Sequence, residues 1–191
     1  MGSSVVASTH LIRRSKNTPC SWGKAATTMG DVNTTIGSPA PDFTLLAIDG
    51  ETVTLSEQRG GPVVLAFFPA AFTGVCETEL CMFRDVISSF NDIGASVYGI
   101  SVDSRFALAA FAQKNELNFT LLSDYNRIAT DAYGIRFESL AGMSGYDVAN
   151  RSVFVIDADG TLAWQWIADS LGDEPPYNDV QEAVASLAAN H

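Results

Sequence analysis

Six consecutive apolar residues, Val63-Val64-Leu65-Ala66-Phe67-Phe68, stand between Gly60-Gly61-Pro62 and Pro69. A continuous run of this length, bounded by turn residues, reads as a strand buried on both faces. Beyond it, Val75, Leu80, Phe83, Ile87 and Phe90 recur at spacings of five, three, four and three, which reads as a helix. Cys76 precedes Leu80 by one turn and so falls on the apolar side of the first turn. A thiol there lies beside unpaired backbone N–H groups and the positive end of the helix dipole. Both favour thiolate over thiol, and thiolate is the nucleophile. An isolated cysteine is as often a small core hydrophobe, so its neighbours decide between the two.

The rest of the chain supplies the layers around that strand. Phe43–Leu46 and Thr52–Leu55 flank an Asp49-Gly50 turn and predict a hairpin. Ser56–Gln58 reads as a helical turn. Ala95–Val102 predicts the next strand, and Asp103 or Ser104 caps a helix over Phe106–Lys114. Phe119–Leu122 reads as a short strand, and Asn126–Tyr133 as a short helix closed by Gly134. Residues 135–150 show no regular pattern. Ser152–Asp157 predicts a buried strand, turned by Asp159-Gly160 into Thr161–Ile167, and Asp179–Ala189 predicts a closing helix. Alternating strands and helices that end in an antiparallel pair argue for a three-layer α/β domain over residues 36–190.

Residues 1–28 differ in kind. They hold four bases and no acid, are rich in Ser and Thr, and show no periodicity. The first 30 residues are expected to be a disordered or leader extension: an organellar transit peptide, or sequence ahead of a true start at Met29. The remainder carries seven bases against 22 acids. That balance speaks against nucleic acid and anionic membrane as partners, since both need basic patches. No apolar stretch approaches the ~18 residues of a membrane span. The cysteines, Cys20, Cys76 and Cys81, form no CxxC, and both histidines, His10 and His191, are terminal. Cysteine–histidine and serine–histidine catalysis therefore lack a base, and a His-ligated metal is not expected. No phosphate loop or dinucleotide fingerprint is present, so no cofactor is expected.

Pro69, Thr73 and Cys76 share the spacing P-x-x-x-T-x-x-C, followed by Glu79 and Arg84-Asp85. This string resembles the active-site motif of the peroxiredoxins, above all the E-type alkyl hydroperoxide reductases and the bacterioferritin-comigratory branch. The Gly37-x-x-Ala40-Pro41-x-Phe43 opening resembles them too, and the likeness runs from about Ile36 to the end. It implies a thioredoxin-like fold with an N-terminal β-hairpin. It also implies thiol-dependent reduction of hydrogen peroxide and organic hydroperoxides, with Cys76 passing through a sulfenic acid. Thr73 would accept from the hydroperoxide O–H and donate toward the thiolate, while Pro69 shapes the pocket wall. Arg151, just before the Ser152 strand, matches the family arginine that faces the thiolate, and Glu79 would orient it.

Recycling has two readings. Cys81 lies five positions after Cys76, a rise of ~7.5 Å and a turn of ~140° on an intact helix. That exceeds the ~7 Å Cα reach of a disulfide, so a bridge needs the first turns to unwind. The bacterioferritin-comigratory branch has members with a resolving cysteine at this place; the E-type branch commonly lacks one. The expected reductant is Cys81, an external thiol of thioredoxin, glutaredoxin or mycoredoxin type, or both. A homodimer is left open. The location is cytoplasmic, or organellar if residues 1–28 are a transit peptide. The competing non-enzymatic reading is a redox sensor or holdase on the same fold, without rapid turnover.

Overall fold

The computed structural model describes residues 34–188 except Asp92. The expectations for residues 1–30, Cys20, His10 and His191 lie outside the described residues. In chain order the strands are β1 (Thr44–Ala47), β2 (Thr52–Thr54), β3 (Val63–Phe67), β4 (Ser96–Ser101), β5 (Thr120–Ser123), β6 (Arg136–Phe137), β7 (Val148–Ala149), β8 (Ser152–Ile156) and β9 (Leu162–Ile167). The helices are α1 (Gly74–Asn91), α2 (Arg105–Lys114), α3 (Ile128–Ala132) and α4 (Tyr177–Ala188). All strands but β6 and β7 form one seven-stranded sheet, in the spatial order β2-β1-β5-β4-β3-β8-β9. This sheet is the middle layer. β3 runs parallel to β4 and antiparallel to β8, and every one of its residues is buried.

Alternation explains why β3 has no polar position. Val64, Ala66 and Phe68 face one core with Leu80, Phe83, Ile87 and Phe90 of α1. Leu108 and Phe111 of α2 and Val180 and Val184 of α4 complete that core. Val63, Leu65 and Phe67 face the other, with Phe43, Leu45, Tyr133 and Phe154. Three helices thus cover one face. The short α3 and the N-terminal segment cover the other.

The hairpin forms as its Asp-Gly turn predicts. Gly50 takes φ 99°, which a side chain disfavours, and the Glu51 N–H donates to Asp49 Oδ1 at 3.0 Å. β1 also pairs antiparallel with β5, so the hairpin extends the main sheet. Residues 135–150 are more ordered than their sequence suggests. β6 and β7 pair antiparallel around a 3-10 turn at Leu140–Gly142. Two-residue strands are too short to leave a periodic trace. Arg136, bonded to Asp131 and Asp147, ties this flap to α3. Among the described residues no helix is long and apolar enough to cross a membrane.

Candidate active site

β3 hands its chain to α1 through Pro69–Thr73, and this connection is held by its own main chain. The Phe68 N–H donates to the Ile100 carbonyl at 3.0 Å, continuing the ladder past the strand end. The Ala71 N–H donates to Asp103 Oδ2 at 2.7 Å, and Ser101 Oγ donates to the same oxygen at 2.8 Å. Phe72 then adopts φ 63° and lays its ring edge-on to Phe111, with centroids 5.3 Å apart. A non-glycine residue in this region is strained, and such strain collects at functional turns. Asp103 was one of two capping candidates for α2. The cap is Ser104, whose Oγ accepts from the Ala107 N–H, so Asp103 is released to hold the Ala71 turn.

Cys76 sits in the first turn of α1, only 1% exposed, packed in the core with Phe68, Leu80, Phe83 and Phe111. The helical ladder starts with the Glu77 N–H on the Thr73 carbonyl at 3.0 Å. The N–H groups of Val75 and Cys76 precede that bond and have no partner four residues back. Pro69 is buried at the strand end. Thr73 is exposed, and its hydroxyl donates to the Ala70 carbonyl at 3.0 Å rather than toward Cys76. The expected donation toward the thiolate is therefore not the arrangement seen here. With its proton committed to Ala70, the hydroxyl oxygen keeps lone pairs with which to accept.

The cation comes from the residue just before β8, the antiparallel neighbour of β3. Ser152 of β8 is paired with Phe67, which sets Arg151 beside the end of β3. Arg151 is among the largest buried side chains, at 1% exposure. Its Nη2 donates to Cys76 Sγ at 3.4 Å, and its Nη1 donates to Glu79 Oε2. Nε and Nη2 also both reach the Leu171 carbonyl, at 3.3 and 2.9 Å. Burial works against the guanidinium charge. The Glu79 carboxylate and the Cys76 sulfur outweigh it and hold the Arg151 pKa above its ordinary value.

Glu79 lies one turn after Cys76 and is fully buried. Burial pushes its carboxyl up to about 7, against the pull of Arg151. Oε1 has no hydrogen-bond partner. One guanidinium thus faces two acids. Arg151 touches both Glu79 and Cys76, whereas Glu79 meets one cation and leaves Oε1 dry.

Cys81 is half-buried and free, on the same unbroken helix as Cys76. It faces the end of α2, with Sγ 4.0 Å from Asn115 Oδ1. Arg84 Nη1 donates to the Asn115 carbonyl at 2.8 Å. Lys114 Nζ lies 2.5 Å from Glu77 Oε1 and 5.6 Å from the centre of the Phe72 ring. These contacts fasten the first turns of α1 to the end of α2.

The structure therefore gathers Cys76, Glu79 and Arg151 into one buried triad. Pro69 and Thr73 lie on the connecting loop, and Cys81 faces away. Two contributors escaped the sequence reading: Asp103, which looked like a helix cap, and the Leu171 carbonyl, a main-chain atom with no side-chain signature. Among the described residues, no group of His, Cys, Asp and Glu is placed to hold a metal.

Residues 36–165 match the AhpC/TSA family. Peroxiredoxin Bcp of Bacillus subtilis is 38% identical over 152 residues, 80% of this chain and 94% of the relative. Peroxiredoxin Bcp of Escherichia coli is 39% identical over 126 residues, 66% of this chain and 81% of the relative. The chloroplastic peroxiredoxin Q of wheat is 50% identical over 88 residues, 46% of this chain and 41% of that protein. The crystal structure of peroxidoxin BcpB from Mycobacterium tuberculosis superposes with a TM-score of 0.68 at 31% identity, covering 82% of this chain and 97% of that one. With the family model spanning most of the chain and relatives aligned over most of their own length, the chain belongs to the AhpC/TSA family: it is a peroxiredoxin, a thiol-dependent peroxidase on a thioredoxin-like fold.

Proposed function

We propose that Cys76 is the peroxidatic sulfur and that Arg151, held by Glu79, is the cation that serves it. The observation that carries this reading is the Nη2–Sγ hydrogen bond of 3.4 Å in a site with almost no exposure. A guanidinium at that place favours negative charge on sulfur and offers donors to the incoming oxygens. The Cys76 thiolate attacks one peroxide oxygen. A sulfur–oxygen bond forms as the oxygen–oxygen bond breaks, and the alkoxide or hydroxide that leaves takes a proton from water. Cys76 is left as a sulfenic acid. Thr73 accepts from the hydroperoxide O–H, and the N–H groups of Val75 and Cys76 lie on the same helix start. Pro69 and Phe68 keep the pocket dry.

Recycling runs through Cys81 in this reading. The Cys81 thiol condenses with the sulfenic acid, releasing water and forming a disulfide. An external dithiol of thioredoxin, glutaredoxin or mycoredoxin type then returns both sulfurs to thiols. Because Cys76 and Cys81 share the unbroken α1, this step requires the first turns of the helix to unwind. The substrates are hydrogen peroxide and organic hydroperoxides, and a homodimer is compatible with this scheme. The compartment is cytoplasmic, unless residues 1–28 direct the chain to an organelle; relatives named chloroplastic peroxiredoxin Q keep that reading in view.

Stopped-flow mixing of the reduced protein with hydrogen peroxide tests the site. Cys76→Ser is expected to abolish peroxide consumption, and Arg151→Gln to slow it by about 10²-fold, the usual cost of losing one donor to developing charge. Consumption at the wild-type rate by Cys76→Ser would remove Cys76 from the mechanism. A wild-type rate no faster than that of a free thiol would restore the sensor reading.

A further inference from the structure

Arg151 is gripped from two directions, and only one of them belongs to the helix that carries the cysteine. Glu79 takes Nη1. The opposite edge of the guanidinium, Nε and Nη2, closes on a single main-chain oxygen, the Leu171 carbonyl. That carbonyl sits between β9 and α4, in a turn with its own bonding. The Asp173 N–H donates to the Ser170 carbonyl at 2.9 Å, and the Ser170 N–H donates to Asp173 Oδ2 at 2.8 Å. The Gly172 N–H reaches Ser170 Oγ at 3.4 Å. The Leu171 side chain packs against the cluster of Ala70, Val102, Leu140 and Val148, beneath the peroxidatic loop.

We propose that the Ser170–Asp173 turn is a positioning element for peroxide reduction, with Asp173 as the positioning residue that keeps the Leu171 carbonyl on Arg151 and so the guanidinium on Cys76. The proposal rests on the reading that Arg151 serves Cys76. A guanidinium is planar, and a carboxylate on one edge leaves it free to rock about that contact. A second acceptor on the Nε edge removes the rocking and sends the remaining Nη2 proton to the sulfur. Glu79 and Leu171 belong to different elements, so the plane is fixed only while both are in place. Asp173 is exposed, and its carboxylate accepts from the Ser170 N–H to close the turn.

The experiment uses the full chain with Cys20→Ser and Cys81→Ser, which leaves Cys76 as the sole thiol. Two quantities are measured: the second-order rate with hydrogen peroxide, and the ratio of alkylation rates by iodoacetate and iodoacetamide. The ratio reports positive charge beside the sulfur and is insensitive to loss of bulk stability. Asp173→Ala is expected to slow peroxide reduction about tenfold, as a reacting group displaced by a fraction of an ångström does, and to lower the alkylation ratio. Asp173→Asn keeps an oxygen that accepts from the Ser170 N–H, and is expected to hold both quantities within about twofold of the parent. Parent-like values for Asp173→Ala would overturn the proposal, as would Asp173→Asn behaving like Asp173→Ala. Arg151→Gln separates the two levels of the claim. If it alone lowers rate and ratio, the turn has no positioning role and Arg151 keeps its own. If it lowers neither, the role of Arg151 falls and the turn's falls with it.

Discussion

Replacing Glu79 by glutamine should change how stability depends on pH. The carboxyl is fully buried, with one oxygen on Arg151 and the other without a partner, and its pKa rises from an ordinary 4.5 to about 7. Between those values the folded protein binds a proton that the unfolded chain has released. Stability that this group contributes is therefore fully present below 4.5 and is lost as pH rises through 7. A displacement of this size corresponds to about 3 kcal/mol. A glutamine side chain there would keep the shape and the acceptor for Arg151 but would not ionise. The assay is urea unfolding of both proteins, thiols reduced, at intervals from about pH 4.5 to 8. The other carboxylates titrate alike in both and cancel in the difference. Stability of Glu79→Gln minus wild type should climb by about 3 kcal/mol across that window and level off above it. A flat difference would refute the reasoning. That outcome would show that Arg151 keeps the carboxylate ionised across the whole window and dominates the burial.

Two further outcomes are expected. After one equivalent of peroxide, Cys81→Ser should hold a sulfenic acid that dimedone traps while wild type shows an internal disulfide; equal labelling of the two would take Cys81 out of the cycle. Gly61→Ala should lower the melting temperature without altering the peroxide rate. A Cβ there would stand 2.5 Å from the Gly94 carbonyl oxygen, a main-chain atom that cannot swing aside, and relief by backbone shift costs about 1–3 kcal/mol. An unchanged melting temperature would count against that clash.

The parts of the molecule that were legible in its sequence are those where one residue does one local job. The unbroken apolar run of β3 declared a two-sided strand because its successive side chains enter two different cores. The Asp49-Gly50 turn and the position of Cys76 one turn before Leu80 were local facts as well. Arg151 could be found only through the family motif, since nothing in seven scattered bases marks the one that a strand register will set beside residue 76. Three features were out of reach. The flap of β6 and β7 is built from strands too short to show a period. The Thr73 hydroxyl's choice of the Ala70 carbonyl is a rotamer, not a composition. The Leu171 carbonyl is a backbone atom, and any residue there would present the same oxygen.

Lys114 stands at the close of α2 with its ammonium on Glu77 and against the ring of Phe72. Glu77 lies in the first turn of α1 and Phe72 on the loop just before it, the stretch that the proposed Cys76–Cys81 disulfide requires to open. The clasp on that stretch is thus an ionic one in open solvent, with more than half of the lysine side chain exposed. Fastenings of this sort are shallow and are thinned by dissolved ions over roughly 10 Å. On the recycling route proposed above, dissolved salt would act as a dial on the duty cycle. On that route, dilute buffer would favour the wound helix, and concentrated buffer would shift the balance toward a frayed first turn from which the oxidised sulfur reaches Cys81.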